Sequence, residues 1–502
     1  MHPFRTEVIN AMLPAAFLLA TAAVIALHAW LRPDGDRRFF AWLGIEGALA
    51  AVAATFVESY RTRFLTGGVF LSTGGRSPIS PGALLVDRYA LVGVMLTCFT
   101  AAVLPLLVNR FFGRNPRHAA VFHALVLVAA AAAVLLAEQL EMVTLLVALT
   151  LFSTAAIAML ALQTSNAAAV RAAHKAAIIG GTSLAIAAYG LVLIYGVTGS
   201  TSLDALGAAF GGAPVLETLG VVLFLVGGAG IAGAGPLGAW QNAVGEAGPV
   251  PAVAAVFALG GPAVLVTLVR LSQTALAPEV FWWPSVIAVI GLLTAAVGAL
   301  RAYRATTIRA VVMNCLIGEL GIAVASIAGI GVGIGQQPSG GDTAVLLQAV
   351  AITVGFLGTF GIIGLAEEGG IGPSVEANRG LASRLGWVGG WGVVAFLGMT
   401  SLPPLGLFVA QLLGFTALVS TGHVWVVIIA LVLVMVLTVP PLRLLAIVLD
   451  EPAIGADPLT LRISWPERLL TVACCIGGVL VLLFTGPLLD LISSGTGTLG
   501  PG

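Results

Sequence analysis

In a chain of 502 residues that is 59% hydrophobic and only 9% charged, an ionisable side chain inside an apolar run is the first place to look for chemistry. Holding such a group at the centre of a membrane helix costs at least about 2.5 kcal/mol, so each one needs a reason. Glu319 lies ten residues beyond Arg309, about 15 Å of helical rise, which places its carboxyl near mid-membrane. There it either carries a proton or is paired with a buried hydroxyl. Lys175 is the only lysine in the chain and follows Arg171 by one helical turn. It is either a peripheral member of a proton relay or a basic anchor reaching back to the membrane surface. Glu138 and Glu141 are three apart on one helical face at the end of an apolar run; a solvated or interfacial face fits them better than a channel mouth. Glu46 and Glu58, twelve apart, fit packing against neighbouring helices or subunits, and Asp87-Arg88 reads as a local ion pair or cap.

Other chemistries are poorly supported. Cys98, Cys315, Cys474 and Cys475 all sit in apolar runs without the paired spacing of a zinc or iron–sulfur site, so they read as small buried hydrophobes and no metal is expected. The glycine-rich stretches lack the preceding strand and following helix that cradle a nucleotide. The 22 basic and 22 acidic side chains cancel, which leaves no basic surface for nucleic acid. Tyr189, Trp240, Trp282 and Trp283 read as aromatic anchors at the membrane interface.

Membrane helices have to carry these residues. A soluble domain has roughly 25% charged residues, far more than this chain. Apolar runs fall at 9–31, 40–60, 84–109, 118–137, 140–162, 174–196, 214–235, 250–271, 281–300, 308–332, 343–366, 386–418, 423–449 and 467–492, giving about 14 transmembrane helices in an all-α polytopic protein. No small-residue cleavage site follows the first run, so it reads as a retained span. The loops after odd-numbered spans hold nearly all the arginines, while the opposite loops hold only Arg5, Arg61, Arg63 and Arg76. The positive-inside rule then puts both termini on the non-cytoplasmic side of a bacterial-type inner membrane. The run 386–418 is too long for one straight span, and Pro403-Pro404 should break it into two half-helices. Gly235-Pro236-Leu237-Gly238 interrupts the chain five spans earlier, and an odd spacing implies two inverted repeats, each with a broken helix. The expected organisation is a three-helix segment at 1–117, five-helix repeats at 118–271 and 281–449, and a final helix and tail at 467–502.

Several motifs carry a resemblance. They are Ala172-Ala173-His174-Lys175-Ala176-Ala177 through Gly180-Gly181, then Tyr195-Gly196-Val197-Thr198-Gly199; Pro236, Trp240, Glu246 and Pro249-Val250-Pro251, with Arg270; Thr307-Ile308-Arg309 through Gly321; and Ser401-Leu402-Pro403-Pro404 through Phe408. Over about residues 135–415 the chain resembles the antiporter-like membrane subunits of respiratory complex I, most closely the N-type subunit, and is similar to the multisubunit cation/proton antiporters. The resemblance implies partnership with other complex I membrane subunits in a lipid bilayer. It implies flavin and iron–sulfur clusters in those partners, and no cofactor, NADH site or catalytic residue in this chain.

The departures bear on function. In the family a glutamate on helix five and lysines on helices seven, eight and twelve form the proton relay. Aligning on the motifs puts those positions on Thr150, Ile231, Gly261 and Gln411, and a usual helix-seven histidine on Gly238. None of these side chains can exchange a proton near neutral pH. The expectation is a membrane-arm subunit of a proton-pumping NADH:quinone oxidoreductase with a degenerate or lost proton path, for which Glu319, Lys175 and Glu141 are the remaining proton-path candidates. The alternative is a stand-alone or multisubunit cation/proton antiporter subunit.

Overall fold

The computed structural model describes residues 12–32, 37–65, 84, 88–108, 116–163, 166–203, 214–234, 238, 240–276, 282–333, 339–403 and 405–451. Among them there is no strand, only three isolated bridges, and ten helices are long and apolar enough to cross a membrane, with four shorter apolar helices beside them. The protein is integral to the membrane. Pro236, Pro404, Asp87, Cys474, Cys475 and the final span expected at 467–492 lie outside the described residues.

The helices in order are α1 (Leu13–Leu31), α2 (Arg37–Leu65), α3 (Arg88–Val108), α4 (Pro116–Glu138), α5 (Met142–Ala161), α6 (Ala167–Thr198), α7 (Pro214–Ile231), α8 (Trp240–Ala247), α9 (Val250–Gln273), α10 (Trp283–Arg304), α11 (Ile308–Ser326), α12 (Gly341–Glu368), α13 (Leu381–Arg384), α14 (Trp387–Gly398), α15 (Gly406–Ser420) and α16 (Val424–Leu449). Their ends follow local chemistry. The Asn166 side chain accepts from the N–H groups of Ala168 and Ala169 to start α6, and Thr307 does the same for Ala310 in α11. Gly199 closes α6 in the left-handed conformation.

All of α9 except Gln273 is buried, as is all of α11 except Arg309. A helix apolar on every side belongs at the centre of the bundle, and α9, α11 and α12 form that centre. Small residues let neighbouring backbones meet. A Cβ on Gly190 would lie 2.5 Å from the Phe224 nitrogen, and one on Gly321 would lie 2.4 Å from the Ala295 nitrogen. These contacts join α6 to α7 and α10 to α11 without intervening side chains.

Trp240 and Trp283 depart from the interfacial role expected of them. Both are buried, and their indole nitrogens donate to the carbonyls of Gly230 and Leu276 at 3.0 and 2.9 Å. The first ties α8 to the end of α7 and the second ties α10 to the turn after α9, whereas Tyr189 is exposed. Indoles at span ends satisfy an interface or a turn equally well, and hydropathy does not distinguish the two. Glu138 is also corrected: it is fully buried, not on a solvated face. The short turn between α4 and α5 tucks it inward, where Thr267 and Arg270 of α9 donate to the final carbonyls of α4, at Leu136 and Ala137.

Candidate functional site

The run that sequence reads as one over-long span is two helices, α14 and α15, with a non-helical stretch between them that contains Ser401 and Pro403. Ser401 lies in that stretch and Gln411 lies in the second half-helix. In an unbroken helix they would be about 15 Å apart. The break lets both reach one carboxyl. Ser401 Oγ donates to Glu319 Oε1 at 3.1 Å, and Gln411 Nε2 donates to Glu319 Oε2 at 2.6 Å. Glu319 is 3% exposed and projects from the middle of α11. Of the two roles open to Glu319 from sequence, the geometry shows pairing with a buried hydroxyl: that hydroxyl is Ser401, and the second donor is Gln411, the residue expected at the helix-twelve relay position.

A second polar step adjoins the first. Gln348 of α12 donates through Nε2 to Ser326 Oγ at 3.2 Å and to the carbonyl of Ala410 at 3.3 Å, next in chain to Gln411. Gly414 makes room for this pair, since a Cβ there would lie 2.8 Å from Gln348 Nε2. Gln348 Oε1 is buried without a hydrogen-bond partner. Sequence reasoning missed Gln348, although an amide inside the apolar run 343–366 was the available signal.

The other residues expected at relay positions are neutral and separately placed. Thr150 is on an exposed face of α5, with its hydroxyl donating to the Leu146 carbonyl. Ile231 is buried at the end of α7. Gly261 is buried in α9 against Leu320, and beside it lies a cavity with room for about one water. Gln241 borders that cavity, and its Oε1 has no partner.

Of the remaining candidates, Lys175 is exposed on α6. Glu141 caps α5 positionally and accepts from Thr201 Oγ1 at 2.9 Å. Neither is joined to Glu319 by a hydrogen bond. The short α8 packs on both α6 and α11. A further buried carboxyl went unnoticed in the sequence: Asp342, in the first turn of α12, accepts from Tyr89 Oη at 2.5 Å and Gln273 Nε2 at 3.0 Å. Its position at a span end disguised its burial. Among the described residues no group of three His, Cys, Asp or Glu side chains could hold a metal.

Residues 139–438 match the family described as NADH:quinone oxidoreductase/Mrp antiporter, TM. The chain is 27% identical over 491 residues to NADH-quinone oxidoreductase subunit N 2 of Roseiflexus castenholzii, covering 95% of this chain and 94% of that one. Its fold is similar to that of a chain in respiratory complex I from Thermus thermophilus, with a TM-score of 0.76, 23% identity, and 95% and 98% of the two chains covered. It is likewise similar to a chain of the Mrp complex from Dietzia, with a TM-score of 0.78, 15% identity and 97% of each chain covered.

Proposed function

The chain belongs to the NADH:quinone oxidoreductase/Mrp antiporter transmembrane family, and on that footing we propose that it is an N-type membrane-arm subunit of a proton-pumping NADH:quinone oxidoreductase assembly whose own proton path is degenerate. Full-length similarity to a subunit N supports the assembly. The interior supports the degenerate path, and one observation carries it: Glu319, the carboxyl at the centre of α11, is met at the helix-twelve relay position by the neutral amide of Gln411. A relay lysine there would supply a charge within hydrogen-bond distance, and the coupling of close charges is what moves a proton from site to site. An amide supplies the donor without the charge. At the helix-eight position the glycine leaves Leu320 and a one-water cavity where a long cationic chain would otherwise reach inward. On α5 the Thr150 hydroxyl, at the expected glutamate position, is exposed and engaged by its own backbone.

In this reading the five-helix units at 118–271 and 281–449 are inverted repeats retained as scaffold, both termini lie on the non-cytoplasmic side of a bacterial-type inner membrane, and flavin and iron–sulfur clusters belong to partner subunits. The subunit bridges its neighbours and passes on their movements. The test is Glu319→Gln introduced into the native assembly. Proton pumping per NADH is expected to stay unchanged with assembly intact. A drop in pumping with normal assembly would instead support a working channel through Glu319. Isolation of the chain from its native membranes without other complex I subunits would count against the assembly itself and favour a cation/proton antiporter role.

A further inference from the structure

Of the two settings that sequence allows Glu46, against a neighbouring helix or against another subunit, the fold leaves only the second. Glu46 lies in α2, seven residues past Phe39, about 10 Å along a span whose apolar part runs from Phe39 to Val57. Its side chain is exposed. The opposite side of the helix, with Phe40, Ala48, Ala51 and Thr55, is buried, and α2 packs on α1, α3 and α4. Among the described residues no ion pair or hydrogen bond reaches Glu46. None of the residues one turn away on its own helix, Trp42, Leu43, Leu49 and Ala50, carries a positive charge. An acidic group is therefore held inside the membrane on an outer face, with nothing from its own chain to balance it.

That face has a period. Phe39, Trp42, Glu46, Leu49, Ala53 and Phe56 are all exposed, and their spacing alternates between three and four residues, the seam along which one helix packs into another. A single polar residue within such a seam fixes register and partner. The exposed side of α16 differs: Ile428, Val432 and Met435 fill its middle, and no ionisable group lies among them. Acyl chains suit a surface of that kind.

We propose that this face of α2 docks a transmembrane helix of a neighbouring subunit, with an arginine or lysine of that helix paired to Glu46. The inference rests on the assembly proposed above and names one of its contacts. Lipid would leave a carboxylate against hydrocarbon, an expensive place for it. A second copy of this chain is also unsuitable, because a symmetric dimer through this face sets each seam residue near its own copy and brings Glu46 against Glu46. A neutral donor would answer the oxygen lone pairs and leave the charge. A cation on the facing helix meets both needs.

The test places a photo-crosslinking amino acid at Leu49 in the native assembly and identifies its adducts by mass spectrometry. It is expected to capture a helix of one membrane subunit that carries an arginine or lysine in register with Glu46. Glu46→Arg should lower co-purification of that subunit about ten-fold. Changing the captured basic residue to glutamate in the same assembly should restore it, a rescue that a merely misfolded variant would not show. Adducts to lipid alone or to a second copy of this chain, a captured helix without a basic residue, or failure of the charge exchange would each overturn the docking proposal and leave the assembly standing. A chain that purifies without any other membrane subunit would remove the assembly, and the docking proposal with it.

Discussion

Gln411 and Ser401 are the only side chains that donate to Glu319 among the described hydrogen bonds, and they hold one oxygen each. The carboxyl lies where water does not compete, so each donor matters more than it would at a surface. Gln411→Met keeps the length and removes the donor, leaving a buried oxygen unsatisfied. The expected loss is about 1–3 kcal/mol of stability, read as a lowered unfolding temperature of the purified chain in detergent. Ser401→Ala, which breaks the longer of the two bonds, should cost less. Glu319 was legible as a candidate from its type within an apolar run, and Gln411 was marked only by the motif alignment, as a replaced relay position. That they touch was not legible, because they lie 92 positions apart in sequence and hydropathy carries no information about which helix faces which.

Among the helices, the broken one was the clearest structural message in the sequence. Pro403 inside an over-long apolar run predicts two half-helices, and α14 and α15 are found on either side of it. The packing of α10 on α11 was less visible. Gly291 and Gly298 on one helix meet Gly321 and Gly318 on the other, and backbone atoms occupy the space a Cβ would take on Gly291, Gly298 and Gly321. Many glycines in this chain have nothing within 4 Å, among them Gly180, Gly181 and Gly196, so composition alone does not single out the ones that matter. Gly321→Ala is expected to separate these helices and cost about 1–3 kcal/mol, whereas Gly181→Ala should be neutral or slightly stabilising, since a helical glycine is replaced in open space. Thermal unfolding of the two variants side by side checks the contrast.

Over the full bundle, Arg309 joins parts that are distant in sequence. It pairs with Glu367 at the end of α12 and donates to the Gly248 carbonyl, just before α9, at 2.7 Å. Each member of the pair sits at the wrong end of its own helix: a cation in the first turn of α11 and an anion in the last turn of α12 both oppose their helix dipoles. Neither placement is explained by its helix; the pair is explained by the joint it makes among the three central helices. Arg309→Gln leaves Glu367 partly buried without its cation and is expected to cost about 1–3 kcal/mol. Arg309→Gln with Glu367→Gln should recover part of that loss, a comparison made by double-mutant unfolding.

Residue order alone was enough to establish a polytopic helical membrane protein, where most spans begin and end, where a helix must break, and that the expected relay positions are neutral. Apolar run length, proline chemistry and residue type are local properties, and they survive without a fold. Three-dimensional packing was needed to show that Glu138, Trp240 and Trp283 are interior, that Asp342 is clasped by Tyr89 and Gln273, and that Ser401 and Gln411 converge on Glu319. In a chain this uniformly apolar nearly every helical face looks fit for burial, so the faces that meet are selected by close glycine contacts and by a few polar pairs whose partners lie far along the chain.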